Sequence, residues 1–368
     1  MTVLEPRSPH IEAGKASPTA TATPPPQGRR IHASLTDAHR RAAVIGASLA
    51  LSAFYLALIF AALWRPDFHT TSRLHAGVSL VTFYIDTFAF HGGIGAAMLV
   101  VFLAVGRRWR LCLAGLPAVL FTVGPSGLRY LPRDPPAILG DTVTVMTVNL
   151  FGANRRTDRL VGEIAEANPD ILLLQEYNER WHEALQSAVG DRYRHIETLP
   201  RRDFYGMAVY SKLRFEEPGP IRLYPAGLSV PCMKASVRIG GRPVTVLNVH
   251  LVPPKSVRHF RRQSAQFADL LETIAAERGP VVFAGDFNFT ARARFAGCVR
   301  HRGLRACHDL AGWGRGTTWP VSGVLRYGLG LRIDNIYLTP DLTCMSSRTG
   351  VGAGSDHRPI VAVIGFAE

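Results

Sequence analysis

The stretch Val281-Val282-Phe283-Ala284-Gly285-Asp286-Phe287-Asn288 decides how the chain folds. Four apolar residues in a row read as a short strand buried on both faces, Gly285 ends the run, and an acid and an amide follow at once. A charge beside a buried apolar strand is costly unless it is paired or holds a metal. The same arrangement recurs along the chain. Asn149 follows the alternating run Thr142–Val148, Glu176 follows the apolar Ile171–Leu174 and Gln175, and His250 follows Val244–Val249. Asp334 lies early in Arg332–Leu338, and Asp356-His357 precedes the last strand, Pro359–Ile364. Polar groups repeatedly set at strand ends imply one shared pocket at an edge of a sheet.

Helices are expected between these strands. Arg156–Glu166 sets Leu160, Val161 and Ile164 on one face and stops at Asn168-Pro169. Asn178–Val189 turns Trp181 and Leu185 inward, and Ser256 can cap a helix that runs to about Glu277. Gly206–Ser211 and Met233–Ile239 are further strands. Residues 137–368 therefore read as one α/β domain.

The polar motifs, in chain order, are Thr147-Val148-Asn149, Leu174-Gln175-Glu176, Gly206–Ser211, Asn248-Val249-His250, Gly285–Asn288, Arg332-Ile333-Asp334 and Ser355-Asp356-His357. In that order they resemble the endonuclease/exonuclease/phosphatase superfamily with a DNase I-like fold; the long uncharged runs between Ala42 and Leu128, with arginines flanking them, resemble its membrane-anchored bacterial branch. The resemblance covers 137–368 and implies a four-layer α/β/β/α sandwich and divalent-metal-dependent cleavage of phosphate esters. It implies Glu176 as the principal metal ligand, with Asp356 and Asn149 in the same shell. Mg2+ is the expected ion, with Mn2+ or Ca2+ as alternatives; a hard cation takes oxygen ligands and keeps several waters. Asp286 would orient or deprotonate water. Asn149, Asn288 and His250 would contact the phosphate, and His250 could also protonate the leaving group. His357 pairs with Asp334 and acts either as base or as cationic stabiliser. Phe151 stands where some nuclease branches carry an acid, and Tyr205 is not a secure match to the tyrosine of the abasic-site nucleases. With His250, this favours the DNase- and sphingomyelinase-like side.

Each residue also has a purely structural reading. Glu176 could open the next helix, Asp286 and Asn288 could form an Asx turn, and His250 could be a loop histidine before Pro253-Pro254. Asp334 could pair with Arg332 at the surface, and Asp356 could cap a turn. A single site explains all of them together and is preferred. Trp319, in Arg315–Pro320, is expected either to line the cleft or to pack in the core.

The first third of the chain differs in kind. Residues 1–36, rich in Pro, Thr, Ala and Ser, read as disordered, and 1–41 forms a basic N-terminal segment. Ala42–Trp64 is 23 residues without a formal charge, about 35 Å as a helix and enough to cross a hydrocarbon core. Further uncharged runs cover 87–106 and 111–128, so about three transmembrane helices are expected within 42–128. Leu74–Ile85 either lengthens the second helix or lies at the interface, and Asp86 and His91 are expected near the headgroups. Arg29, Arg30, Arg40 and Arg41 precede the first span, and Arg107, Arg108 and Arg110 separate the second from the third. Positive-inside bias then places the catalytic domain on the extracytoplasmic side of a multi-pass membrane protein.

Of 368 residues 47% are hydrophobic and only 19% charged, which excludes a wholly disordered chain. The net charge of +14 divides evenly, with 13 basic against 6 acidic residues up to Pro136 and 29 against 22 after it. The second half fits an anionic substrate, nucleic acid or phospholipid. A phosphomonoesterase or lipid phosphatase on the same scaffold, or a non-catalytic extracytoplasmic binding module, are the alternatives. Beyond the bilayer and this substrate no obligate protein partner is expected. Five cysteines without a CxxC pattern leave disulfides open and argue against zinc.

Overall fold

The computed structural model describes residues 27–368, and side chains from residue 37 onward. The segment read as disordered lies, up to Pro26, outside the described residues. From Gln27 the chain is helical as α1 (Gln27–Leu63), so part of the expected N-terminal segment is helix. No proline interrupts 27–63, and a helix can run on past the apolar stretch into water. α2 (Arg73–Val105) includes Leu74–Ile85, so that run lengthens the second helix. α3 (Trp109–Gly127) follows, with Pro117 and Pro125 inside it. All three helices are long and apolar enough to cross a membrane, and Leu56, Val101, Leu113 and Leu120 are exposed on them, as lipid-facing residues would be.

The remaining helices are α4 (Thr157–Ala167), α5 (Glu179–Val189), α6 (Val257–Ala276), α7 (Arg294–His301) and α8 (Cys307–Ala311). The strands are β1 (Ile138–Asn149), β2 (Ile171–Gln175), β3 (His195–Leu199), β4 (Met207–Ser211), β5 (Ile221–Leu223), β6 (Cys232–Ile239), β7 (Arg242–His250), β8 (Val281–Asp286), β9 (Arg305–Ala306), β10 (Asp334–Leu338), β11 (Leu342–Thr349) and β12 (Ile360–Ala367). They form two six-stranded sheets, ordered β11-β12-β1-β2-β4-β3 and β5-β6-β7-β8-β10-β9.

Side-chain alternation builds the layers. In β1 and β2, Val145, Ile171 and Leu173 point between the sheets, where they meet Val246, Val282, Ala284 and Ile336. Their neighbours Met146, Val148, Leu172 and Leu174 face outward onto Leu160, Ile164, Trp181 and Leu185 of α4 and α5. On the second sheet Val249, Val281 and Phe283 face Phe267 and Leu270 of α6 and Val299 of α7. The molecule is thus an α/β/β/α sandwich with three apolar interfaces, as expected. Ser256 caps α6 by accepting from the His259 N–H, and Asn178 caps α5 by accepting from the Trp181 N–H.

The helical segment docks on the sandwich. Phe83 of α2 packs into the aromatic cluster of Phe260 and Phe295, and the Tyr84 hydroxyl donates to the Pro254 carbonyl at 2.9 Å. His91 contacts the Leu329 carbonyl at 2.5 Å, so it faces the α/β domain. All five cysteines are free.

Candidate active site

Strand register brings the polar residues together. In the second sheet His250 lies opposite Asp286, and Asp286 opposite Asp334, across three adjacent strands. In the first sheet Asn149 ends β1 opposite Gln175, and Glu176 follows. Gly285 lets the two strands β7 and β8 approach closely: its φ is +141° and a Cβ there would sit 1.9 Å from the Val249 carbonyl oxygen. Only glycine lets β7 and β8 set His250 beside Asp286.

The two half-sites meet through Asn149, whose amide donates to Glu176 Oε1 and Asp286 Oδ2, both at 3.1 Å. Glu176 Oε2 accepts the Gly152 N–H at 2.8 Å. Glu176 has φ +55°, and α5 begins only at Glu179, so it does not open that helix. Phe151 and Asn288 share this left-handed conformation, which is unfavourable for residues with side chains and collects at functional sites. The Asn288 N–H donates to Asp286 Oδ1 at 2.9 Å, so the Asx turn does form, and it leaves Asp286 Oδ2 facing Asn149 and His250. The Asn288 amide donates to the Leu251 carbonyl at 2.9 Å.

His357 Nδ1 lies 2.8 Å from Asp334 Oδ2. Its Nε2 is 3.9 Å from Asp286 and 4.0 Å from Asp356. Asp334 does not pair with Arg332, which bonds Asp309 instead, at 2.7 Å. His250 Nε2 is 3.5 Å from Asp286 Oδ2. Burial alone would lower the His357 pKa, but the Asp334 and Asp286 charges outweigh it and push it up to about 10. Burial lowers His250 despite Asp286. Burial, then the Asp334 charge, raises Asp286. Asp356 is raised by burial, with Glu176 adding repulsion.

Several residues beneath and beside the candidate site, Trp319 apart, carry no role of their own in the sequence reading. Gln175 Nε2 donates to Asn248 Oδ1 at 2.6 Å and to Thr147 Oγ1 at 3.0 Å. The Asn248 amide, in the opposite sheet, donates to the Leu174 and Ala208 carbonyls at 3.1 and 3.0 Å. These buried amides fasten the sheets together directly beneath the site. Ser355 Oγ donates to the Asn149 carbonyl at 2.7 Å and accepts the His357 N–H at 3.0 Å, tying the last motif to β1. Thr318 Oγ1 accepts from the Asp334 N–H, and the Trp319 indole donates to Asp356 Oδ2 at 3.3 Å. The signal available in the sequence was a lone amide or hydroxyl inside or beside an apolar strand.

Asn149, Glu176, His250, Asp286, Asn288, Asp356 and His357 line one cavity of about 320 Å3, and Trp319 lines it too. Asp334 stands behind His357, fully buried. The Tyr205 ring lies 5.5 Å from that of His250. Asp356 Oδ1 is buried without a hydrogen-bond partner. Glu176 and Asp356 bring carboxylate oxygens to one cavity, a set that suits a hard divalent cation; the Asn149 Oδ1 instead accepts the Phe151 N–H at 3.0 Å, so the structure turns the Asn149 N–H, not its oxygen, toward Glu176. Asp286, Asp334 and His357 also bring donor atoms within 4.8 Å of one another.

A family model described as the endonuclease/exonuclease/phosphatase family matches residues 146–357. The chain belongs to the endonuclease/exonuclease/phosphatase family. Solved members share the fold. An endonuclease/exonuclease/phosphatase from Beutenbergia cavernae is 18% identical with a TM-score of 0.51, over 62% of this chain and 72% of that one. Truncated Caenorhabditis elegans TDP2 is 24% identical (TM-score 0.51, 61% and 98% covered). The 3' phosphatase NExo from Neisseria, bound to product DNA hairpin, is 20% identical (0.51, 61% and 100%). No curated protein matches the chain.

Proposed function

We propose that the protein is a membrane-anchored, divalent-metal-dependent phosphodiester hydrolase. The observation that carries this is a single cavity lined by Glu176, Asn149, Asp356, Asp286, His250 and His357 together. Glu176 and Asp356 would hold the cation, with the Asn149 amide steadying Glu176 Oε1; when bound, the cation supplies Lewis-acid charge to the phosphoryl oxygens. The ion is proposed as Mg2+, with Mn2+ or Ca2+ as substitutes.

The chain's own groups then divide the work. Asp286 orients the attacking water and accepts its proton as the new P–O bond forms. Asn288 steadies a phosphoryl oxygen. His357, with Asp334, Asp286 and Asp356 within 4.0 Å, stays cationic and stabilises charge developing on phosphorus oxygens. His250, neutral through burial, donates a hydrogen bond to the leaving oxygen. That oxygen finally carries the proton released by the water, so one water is consumed as one ester P–O bond breaks. Purified full-length protein should hydrolyse bis-p-nitrophenyl phosphate with Mg2+, and Glu176→Gln should lose about a hundredfold or more in kcat. Hydrolysis unaffected by EDTA would refute the metal assignment.

A second reading is a phosphomonoesterase acting on nucleic acid, favoured by the Neisseria relative's 3' phosphatase activity and bound DNA hairpin. Terminally phosphorylated oligonucleotides test it. The arginine distribution supports an N-terminus in the cytoplasm and the catalytic domain outside. Protease added to spheroplasts should then cleave that domain, and its protection until lysis would reverse the topology.

A further inference from the structure

The wall of the catalytic cavity is partly a membrane helix. Phe83, Tyr84, Thr87 and Phe88 of α2 line it together with Glu176 and Asp286. Tyr84 and Phe88 keep 40% and 44% of their surface exposed. From Thr87 the helix continues without a formal charge to its end at Val105. A nucleic acid tracking into this cleft would have to run along a surface that the bilayer occupies.

Next to the cleft, and sharing Thr87 and Leu331 with it, lies a second cavity of about 90 Å3. That is several times the roughly 10–15 Å3 that a single water requires, room for one phosphate-sized group. Four arginines line it: Arg129, Arg292, Arg315 and Arg332. Arg129 and Arg332 both pair with Asp309. Among the described residues, Arg292 has the charge of Asp86 near it, a ring contact with Phe121 and a 3.3 Å bond to the Phe121 carbonyl. Arg315 meets the Phe90 ring and the Gly328 carbonyl. Arg332 is 6% exposed, and its Nη1 is buried without a partner, as is Arg292 Nε. Four guanidinium groups against two carboxylates leave a positive excess in a partly desolvated pocket. Burial pushes Arg315 down to about 10, with Arg129 and Arg332 adding to it. Guanidinium groups with unpaired N–H donors are the usual partners of phosphate oxygens.

We propose that the substrate is an anionic membrane lipid bearing two acidic groups, with its phosphoester in the catalytic cleft against α2 and its second anionic group in the arginine pocket. This rests on the hydrolase reading above. The lipid enters from the bilayer surface along Tyr84 and Phe88, and the arginines select headgroups with an extra phosphate. The reaction stays a hydrolysis: water oxygen bonds to phosphorus, the ester P–O bond breaks, and the leaving oxygen takes the proton.

The test uses the full-length protein in nanodiscs with Mg2+. Parent-lipid loss is compared for phosphatidylglycerol phosphate and phosphatidylglycerol, which differ by one phosphate, beside a single-stranded oligonucleotide and bis-p-nitrophenyl phosphate. The doubly anionic lipid should be preferred by about tenfold, corresponding to about 1.4 kcal/mol, and Arg292→Ala and Arg315→Ala should erase that preference. Independently, native mass spectrometry of Glu176→Gln protein should show retained phosphatidylglycerol phosphate that is lost on adding Arg292→Ala, with Arg292→Lys keeping part of it. Equal rates on the two lipids, preference for the oligonucleotide, or lipid retention unchanged by both alanine variants would overturn the proposal. Loss of bis-p-nitrophenyl phosphate hydrolysis in the unmodified protein would count instead against the hydrolase reading, and the retention measurement would still decide the lipid site.

Discussion

Replacing Asn248 by alanine should loosen the whole site from below. The side chain is fully buried in β7 and makes three hydrogen bonds, one from Gln175 and two to carbonyls of the opposite sheet. Each is worth about 1 kcal/mol net, and stranding the Gln175 amide and the two carbonyls adds to the loss, so roughly 3–4 kcal/mol is expected. For a domain of this size that corresponds to a fall in Tm of about 10 °C. Thermal unfolding of the full-length protein in detergent, followed by circular dichroism, measures it. Gln175→Ala removes one of the same bonds together with the contact to Thr147. The double variant should therefore lose less than the sum of the single ones, by about 1 kcal/mol. Phosphodiesterase activity of Asn248→Ala should fall even where the protein stays folded, because Glu176 and Asp286 belong to different sheets. A Tm drop under about 3 °C, or strict additivity, would refute the view that these amides pin the sheets.

Other outcomes follow from single positions. Gly285→Ala places a Cβ 1.9 Å from a backbone oxygen at a left-handed φ, so it should abolish stable expression, checked by size exclusion of the detergent extract. His308 is buried and its pKa is pushed down to about 4, chiefly by burial. Its stabilising effect is complete above the unfolded value near 6.5 and is lost as pH falls from there toward 4, about 3 kcal/mol in total. His308→Gln should flatten the Tm-against-pH curve in that window. Asp334→Asn removes the carboxylate beside His357 and should cut kcat by about a hundredfold or more with little change in KM, read by steady-state kinetics on bis-p-nitrophenyl phosphate.

The strands that carry the site were legible because each is an apolar or alternating run with a charged or amide residue at one end. Val281–Asp286 and Ile171–Gln175 are buried throughout, and nothing but a sheet interior suits them. Edge strands were not legible. β3 and β11 lie at the two margins of the first sheet, and with one side unpaired they carry polar residues such as Glu197, Ser346 and Arg348 without a regular alternation. The amides of Gln175 and Asn248 stood out as polar residues next to apolar strands, but their partners come from the opposite sheet, which no local pattern reports. The docking of α2 was hidden for a different reason. On a helix apolar all round, residues that face lipid and residues that face protein have the same composition, so Phe83 and Phe88 are indistinguishable from Val101 until the fold is assembled.

The most direct test of the central claim is the position of a bound metal. Anomalous diffraction from Mn2+-soaked crystals of the full-length protein should place the ion at about 2.1–2.3 Å from a Glu176 carboxylate oxygen, with Asp356 in the same shell. An ion held only at the surface, or one coordinated by Asp334 and His357 with Glu176 turned away, would contradict the account.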